Sequence, residues 1–559
     1  MSNILNIGKT ALNAAQIGIT TTGHNIANAS TPGYNRQVIV QAAAQAQNFG
    51  YGFVGQGTDI SGISRVYNDT LAKQLLSSTA TSSASSAYYN SINEINNLLS
   101  DSNAGLSPVM TQFFSSISAA AASPTDVATR QTVLSSANSL LNRFSAVNNR
   151  LDAIRQSLNT QVSAGVNTIN SYATQISQLN LVIEKATSST GNPPNDLMDQ
   201  RDLLLAKLSE QVKTTVVKQS NGNYDVFVGN GMPLVVGDDT YQLYTQASYT
   251  DPNRLEIAYG DKNNPKIIES STLSGGTLGG LLAFRSETLD TVQNQIGQLA
   301  ITLATQFNEM QQNGYDLNGV DGVALFNVPQ PTVTSSANNI DKSKLATATF
   351  APGQSQQLTS SDYTLKYTNG QYNIIRNSDK YVTPNVTLPV TLDGITFGVN
   401  TTTPVEGDEY MIRPTQGAAG KISLAFDDVE KLALAERVDA NGIVIAFKGT
   451  GDNGNGLRLA KLQDSASVRL LGSNANRSYA QAFALMVSAV GTKTNEMMIT
   501  SKADASALEG ATSAMQSESG VNLDEEAANL LRYQQAYQAA GKMMQIAGQL
   551  FDVLLQLGQ

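Results

Sequence analysis

Leu5-Asn-Ile-Gly-Lys-Thr-Ala-Leu12-Asn-Ala-Ala-Gln-Ile-Gly-Ile19-Thr-Thr-Thr-Gly-His-Asn-Ile26 places a large apolar residue at every seventh position near one end of the chain. A strip of the same period stands near the other end: Leu523, Leu530, Tyr537, Met544 and Phe551. A seven-residue repeat keeps one helical face in register and under-winds two helices into a left-handed supercoil. Three residues after the large positions come Gly8, Ala15 and Thr22 in the first strip and Tyr533, Ala540, Ala547 and Leu554 in the second. Small residues there let helix axes approach. One strip alone would suit an amphipathic helix on its own domain; two strips at opposite termini predict that the termini pair.

Magnitudes limit what that pair can do by itself. Five large side chains at about 1.5–3 kcal/mol each supply at most about 7–15 kcal/mol. Ordering roughly 35 residues costs about 1.5 kcal/mol per residue before backbone hydrogen bonding is counted. Further apolar positions, Leu531, Met543, Ile546, Leu550, Val553 and Leu555, make the second helix apolar around much of its circumference, and such a helix needs cover on several sides. The expectation is that the termini become fully ordered only when neighbouring copies surround them.

The chain has 559 residues, 41% hydrophobic and only 14% charged, enough for several packed domains with a surface of amides and hydroxyls. A net charge of −10 and no run of Lys or Arg argue against a nucleic-acid partner. The absence of cysteine excludes disulfides and thiolate sites. The amphipathic first residues do not read as a cleavable signal peptide. No window approaches 18 consecutive apolar residues, so membrane insertion is not expected.

The first helix is expected over residues 3–28, ending where Asn28-Ala-Ser-Thr31-Pro32-Gly33-Tyr34 places Pro and Gly at the centre of a type II turn. Residues 35–41 alternate as a short strand, and Thr58–Ile63 reads as another. Gly50, Gly52 and Gly55 match G-x-G-x-x-G in form only, because Ala/Gln-rich sequence precedes them and a strand, not a helix, follows. Residues 66–213 read as long helices, with Ser107-Pro108 and Ser123-Pro124 as N-cap and first-turn pairs. Strand period begins near residue 214 with a hairpin at Asn221-Gly222; helix returns over 277–312. A two-residue hairpin is expected at Asn369-Gly370, strands follow through Ile395, Phe397, Tyr410 and Ile412, and helix resumes near 455 and persists.

The predicted fold is mainly α with inserted β domains in a discontinuous multidomain chain. Residues 1–45 with 515–559 form a terminal helical coiled coil. Residues 46–213, 274–325 and 450–514 form a long-helix bundle, and 214–273 and 326–449 form one or two outer β-rich domains.

Chemistry is sparse. His24 is the only histidine and lies in the terminal helix, where a structural or interfacial role fits better than a catalytic triad. Asp316-Leu-Asn318-Gly-Val320-Asp321-Gly322 fails as a calcium loop, since Val320 takes a ligand position, and reads as a turn. Asp196, Asp199 and Asp202, with Arg201, lie near a helix start, where acids suit the macrodipole. No catalytic residue, metal site or cofactor is expected.

Asn25-Ile-Ala-Asn28-Ala-Ser-Thr31-Pro32-Gly33-Tyr34 resembles the N-terminal signature of the bacterial flagellar rod, hook and hook-associated families. Gly520-Val-Asn-Leu523-Asp-Glu-Glu526 with Leu530, Tyr533, Gln534, Tyr537 and Ala540 resembles their C-terminal signature. Interior stretches, Asn195–Asp202, Gly275–Arg285, Gly314–Gly319, Gly407–Pro414 and Gly451–Asn453, resemble the hook-filament junction (FlgK) family; Asn313 stands where that family often has His.

The resemblance implies a non-enzymatic subunit that self-associates into a helical tube between hook protein and a second junction protein on the filament side, as a mechanical adaptor. It implies export without a cleavable signal through the flagellar type III apparatus, with a cytoplasmic chaperone on the C-terminal helix, and an extracellular location on the flagellum. Expected interface residues are Leu5, Leu12, Ile19, Ile26, Leu523, Leu530, Tyr533, Tyr537, Met544, Phe551 and Leu554; Asn25, Asn28, Thr31, Pro32, Gly33 and Tyr34 form the signature turn. A hook or rod protein would share the ends but lack the long bundle. A secreted adhesin or enzyme with flagellar-type ends would carry its site between residues 326 and 449.

Overall fold

Helix-forming runs and the turns that stop them set the frame. The computed structural model describes residues 2–48, 50, 52–101, 105–341, 346–400, 404–439, 442–472 and 475–557, the side chains of Ser2, Leu554 and Leu557 excepted. Helix α1 (Ser2–Asn28) is followed by an antiparallel ribbon of Gln37–Ala43 with Thr58–Arg65, pairing Gln37 with Arg65 and shifting register by a bulge after Val40. The Gly-rich stretch lies at the far end of this ribbon, where Gln47–Asn48 pairs with Phe53–Val54; Tyr51 is outside the described residues.

Helix α2 (Asp69–Leu99) starts at Asn68, whose side chain accepts from the Thr70 and Leu71 amides. Then come α3 (Leu106–Ala122), α4 (Val127–Thr190) and α5 (Asn195–Gln211). With 64 residues, α4 is about 96 Å long and ends on Gly191 at φ 71°. Two expected caps are corrected. Gly105, not Ser107, precedes α3, and Ser123 closes α3 instead of opening α4. Asp126 caps α4 because its carboxylate accepts from both the Ala128 and Thr129 amides, a stronger arrangement than the Ser123 hydroxyl offers.

The first β insertion is a four-stranded meander over Thr214–Lys218, Tyr224–Val228, Met232–Val236 and Asp239–Thr240, beside a three-stranded sheet of Leu243–Ala247, Leu255–Tyr259 and Lys266–Ile267. Helix α6 (Gly276–Phe284) then runs through a π-helical turn, Arg285–Leu289, into α7 (Asp290–Gln312). The Asp316 segment is a turn, as expected: the Asp316 carboxylate accepts from the amides of Asn318 and Val320, both at 2.8 Å.

The second insertion leaves and rejoins the helices at a neck where Phe326–Asn327 pairs with Ser423–Leu424. Its five-stranded sheet has the order Thr332–Ser335, Glu409–Arg413, Tyr363–Thr368, Gln371–Arg376, Tyr381–Val386. The Asn369-Gly370 hairpin has φ of 55° and 74°, the type I′ geometry its sequence calls for. A three-stranded sheet with Ile395 and Phe397 packs on it, the rings of Tyr363 and Phe397 meeting edge to face at 5.3 Å. Among the described residues, no strand of one insertion pairs with a strand of the other.

Helix resumes at α8 (Gly454–Lys461) but does not persist; an irregular passage with a Val468 to Arg477 bridge precedes α9 (Tyr479–Ser519) and α10 (Leu523–Leu557). Phe113, Phe307 and Phe326 cluster at centroid distances of 5.4–6.1 Å, and Phe114 stacks on Tyr479. This aromatic core ties α3, α7 and α9 together near one end of the bundle, while α1 and α10 meet at the other. No described helix is long and apolar enough to cross a membrane.

Candidate assembly interface

The terminal helices pack on each other along their length, running antiparallel: Gly8 lies against Met544 and Ala540, Gly18 against Tyr533, and Asn25 against Glu526. The fully buried residues of the seam are small. Gly8, Ala14, Ala15, Gly18, Thr21 and Thr22 are buried on α1, and Ala540 and Ala547 on α10. A Cβ at Gly18 would fall 2.6 Å from the Tyr533 ring, so the two backbones are as close as that ring allows.

Of the large positions, Tyr533 and Met544 are half-buried and lie in the seam against Gly18 and Gly8; Leu5, Leu12, Ile19 and Leu530 are half-buried, and Ile26, Leu523, Tyr537 and Phe551 are exposed. Small residues facing large ones let the two axes come close. Leu554 has its side chain outside the described residues. With 100° per residue, Leu531 (59% exposed), Ile546 and Val553 fall about 100° or more from Ala540 and Ala547, and Leu550 flanks that seam. Met543 and Leu555 are exposed as well. These apolar side chains are exposed in the single chain.

The base of the pair is fixed by a buried polar hub. Asn25 is 1% exposed. Its side-chain oxygen accepts from the Tyr34 hydroxyl at 2.7 Å and the Gln37 amide at 3.0 Å; its NH2 donates to the Gln37 carbonyl at 2.9 Å and to Glu526 Oε2 at 3.1 Å. One residue of the N-terminal signature thus binds its own turn, the strand beyond it and the C-terminal signature. Burial, with Asp196, Asp199 and Glu526 nearby, pushes the Tyr34 phenol pKa up, so Tyr34 remains a donor. Arg36 reaches across to Glu525, and its amide donates to the Ser519 carbonyl at 2.8 Å.

The turn has its expected form: Gly33 has φ 81° and the Tyr34 amide donates to Thr31 O. Asn28 donates to the His24 carbonyl at 3.0 Å, and Thr31, Pro32 and Gly33 are exposed. A Cβ on Gly33 would sit 3.1 Å from Leu203 Cβ on α5. Gly33→Val combines that crowding with a φ that β-branched residues resist, and is expected to destabilise the turn by about 2–3 kcal/mol. Reduced swimming with a lowered unfolding midpoint would be the readout; normal values of both would refute the assignment.

Sequence reasoning missed the partner of this turn. Asp196, Asp199 and Asp202 do more than complement a helix dipole. Asp199 accepts from the Asn35 amide and side chain at 3.0 and 2.7 Å, and from Arg65 at 2.8 Å. Asp202 pairs with Arg65 at 2.5 Å, and Asp196 accepts from Gln37 Nε2 at 2.7 Å and lies 3.3 Å from His24 Nε2. Arg201 points the other way and lies over the Tyr224 ring at 3.6 Å. The i, i+3 spacing of the acids was a visible signal; their partners, more than 130 residues away, were not.

Curated relatives decide the family. The chain is 34% identical over 562 aligned residues, the full length of both proteins, to flagellar hook-associated protein 1 of Salmonella typhimurium, and equally to that of Escherichia coli K12. The chain belongs to the flagellar hook-associated protein 1 (FlgK) family. The Bacillus subtilis member is 21% identical over 99% of this chain and 97% of its own. The flagellar hook junction protein FlgK of Burkholderia pseudomallei, a solved structure, is 28% identical and superposes with a TM-score of 0.73 over 80% of this chain and 100% of its own.

The FlgK helical domain family matches residues 92–326 and the hook-associated protein 1 D2-like domain residues 334–414, which contain the five-stranded sheet. The flagella basal body rod protein family matches residues 5–35, and the basal body rod FlgEFG C-terminal family residues 512–557. The FlgK family therefore shares with rod proteins the two segments that meet at the Asn25 hub. Its members are structural components of the flagellum, and this chain is one of them.

Proposed function

We propose that this chain polymerises through its terminal helix pair into the short helical tube that joins hook to filament, and acts there as a mechanical adaptor. The observation that supports the reading is the division of labour on α1 and α10: small residues make the intramolecular seam, while Ile26, Leu523, Leu531, Tyr537, Ile546, Leu550 and Phe551 stay exposed. Large apolar side chains kept out of the intramolecular contact contribute about 1.5–3 kcal/mol each when buried, so repeated burial in neighbouring copies offsets the association entropy.

The interface comprises Leu5, Leu12, Ile19, Ile26, Leu523, Leu530, Tyr533, Tyr537, Met544, Phe551 and Leu554, with the 25–34 turn setting the direction of the pair. Residues 1–45 with 515–559 line the bore; 46–213, 274–325 and 450–514 form the next shell; 214–273 and 326–449 face outward. Hook protein and a second junction protein bound the tube. An export chaperone covers the apolar C-terminal helix before passage, without a cleavable signal, through the type III apparatus. The chain carries no catalysis.

The test is a paired substitution, Leu550→Asp with Phe551→Asp. Both side chains are exposed, so the isolated protein should keep its circular dichroism and unfolding midpoint, while swimming and filament attachment in a strain lacking the protein fall at least about tenfold. Full restoration of motility by this variant would remove α10 from the interface.

A further inference from the structure

The seam where the outer β unit, the first β insertion and the long helices meet holds a cavity of 460 Å³ lined by charged groups from each. On α4, Arg155 pairs with Asp290 of α7 at 2.6 Å. From the first insertion, Arg254 pairs with Asp290 at 2.6 Å and with Glu256 at 2.5 Å. In the π-helical turn, Arg285 pairs with Glu256 at 2.7 Å, and on the outer sheet Arg413 pairs with Asp251 at 2.5 Å. Lys380 also lines the cavity, without a described carboxylate partner.

Each arginine of the cluster is thus committed to another carboxylate, and Asp362 is left over. Its Oδ1 is sealed from solvent without a hydrogen-bond partner, and no cation pairs with it among the described residues. The backbone beneath it is held in place, the Asp362 carbonyl accepting from the Asn377 amide at 2.9 Å and the Ser361 hydroxyl at 2.8 Å. The Asn294 side chain on α7 hydrogen-bonds with the carboxyl and the more distant Arg413 and Arg155 attract its ionised form, while Asp290 repels it. A half-buried carboxyl with one oxygen sealed and unsatisfied is costly to ionise, which favours holding a proton. Burial, with Asp290 adding to it, pushes the Asp362 pKa up to about 7.

We propose that Asp362 is a proton-linked latch: the outer β unit is held tightly against the bundle while this carboxyl is neutral, and the seam loosens as it ionises. In the loosened seam the carboxyl is hydrated and titrates in the ordinary carboxylate range, near 4. The docked seam therefore binds more protons than the loosened one between about 4 and 7. Its contribution is full below that window, falls by at most about tenfold per pH unit as pH rises through it, and is flat above, where both states are ionised. The narrow neck at Phe326–Asn327 and Ser423–Leu424 lets the outer unit shift without unfolding the helices.

Native-state hydrogen exchange of the full chain between pH 5 and 8, corrected for intrinsic exchange, tests the latch. Protection of peptides spanning residues 361–378 should fall about 30- to 100-fold from pH 5 to 7 and then level off, while peptides of α2 and α9 stay constant. Asp362→Asn, which keeps the shape and removes the titration, should abolish that dependence. A wild-type seam indifferent to pH, or an Asp362→Asn protein with the same fall, would overturn the proposal. Should the variant fail to fold, carbon-13 titration of the Asp362 carboxyl in the wild-type chain decides: a midpoint near 7 supports the latch and one near 4 overturns it.

Discussion

A chain ending at Asn522 is expected to fold its bundle and both β insertions, yet to restore neither filament attachment nor swimming to a strain that lacks the protein. The aromatic core of Phe113, Phe114, Phe307, Phe326 and Tyr479 lies at the far end of the bundle from α10, and α10 buries only Glu526, Ala540 and Ala547 among its described side chains. Its removal therefore takes little from the folded interior and all of the exposed apolar side chains of α10. Circular dichroism and thermal unfolding would follow the first half of the expectation and motility on soft agar the second. A truncated chain that still supports swimming would overturn the role given to α10.

The second large effect is expected of Asn25→Ala. Four groups lose this partner at once: the Tyr34 hydroxyl, the amide and the carbonyl of Gln37, and the carboxylate of Glu526, a residue 2% exposed. Leaving a buried polar group unsatisfied costs about 1–3 kcal/mol, more for a charge, so the junction of helix pair and ribbon should lose about 3–5 kcal/mol. The loss should be local. Proteolysis near residues 29–36 and 519–526 should accelerate by two orders of magnitude or more, whereas the bundle core unfolds at its usual temperature. Unchanged cleavage at both sites would show that the hub is not what fastens the pair.

The terminal helices, the Pro32-Gly33 turn, the Asn369-Gly370 hairpin and the two β insertions were legible because each depends on neighbours a few residues away. Long-range features were legible only in part. The repeat located both terminal helices and the small positions Gly8, Ala540 and Ala547 at their contact, but nothing local shows that Gly18 would meet the Tyr533 ring or that Ile26, Leu523, Tyr537 and Phe551 would stay exposed. Reading Asp196, Asp199 and Asp202 as dipole partners was correct for a helix start and incomplete for the fold, because Asn35, Gln37 and Arg65 reach them only after the ribbon is placed. The cap at Ser123 failed for a local reason, a better acceptor at Asp126. The break before Tyr479 was hidden by apolar residues such as Val468 and Leu470 that serve the bundle core without being helical.

What remains is whether the apolar surface of the helix pair waits for other copies. Hydrogen exchange over residues 523–555, compared between dilute single chains and the assembled junction, answers this most directly. Rapid exchange is expected in the single chain, slowing at least about a hundredfold in the assembly. Strong protection already present in dilute single chains, unchanged on assembly, would contradict that expectation.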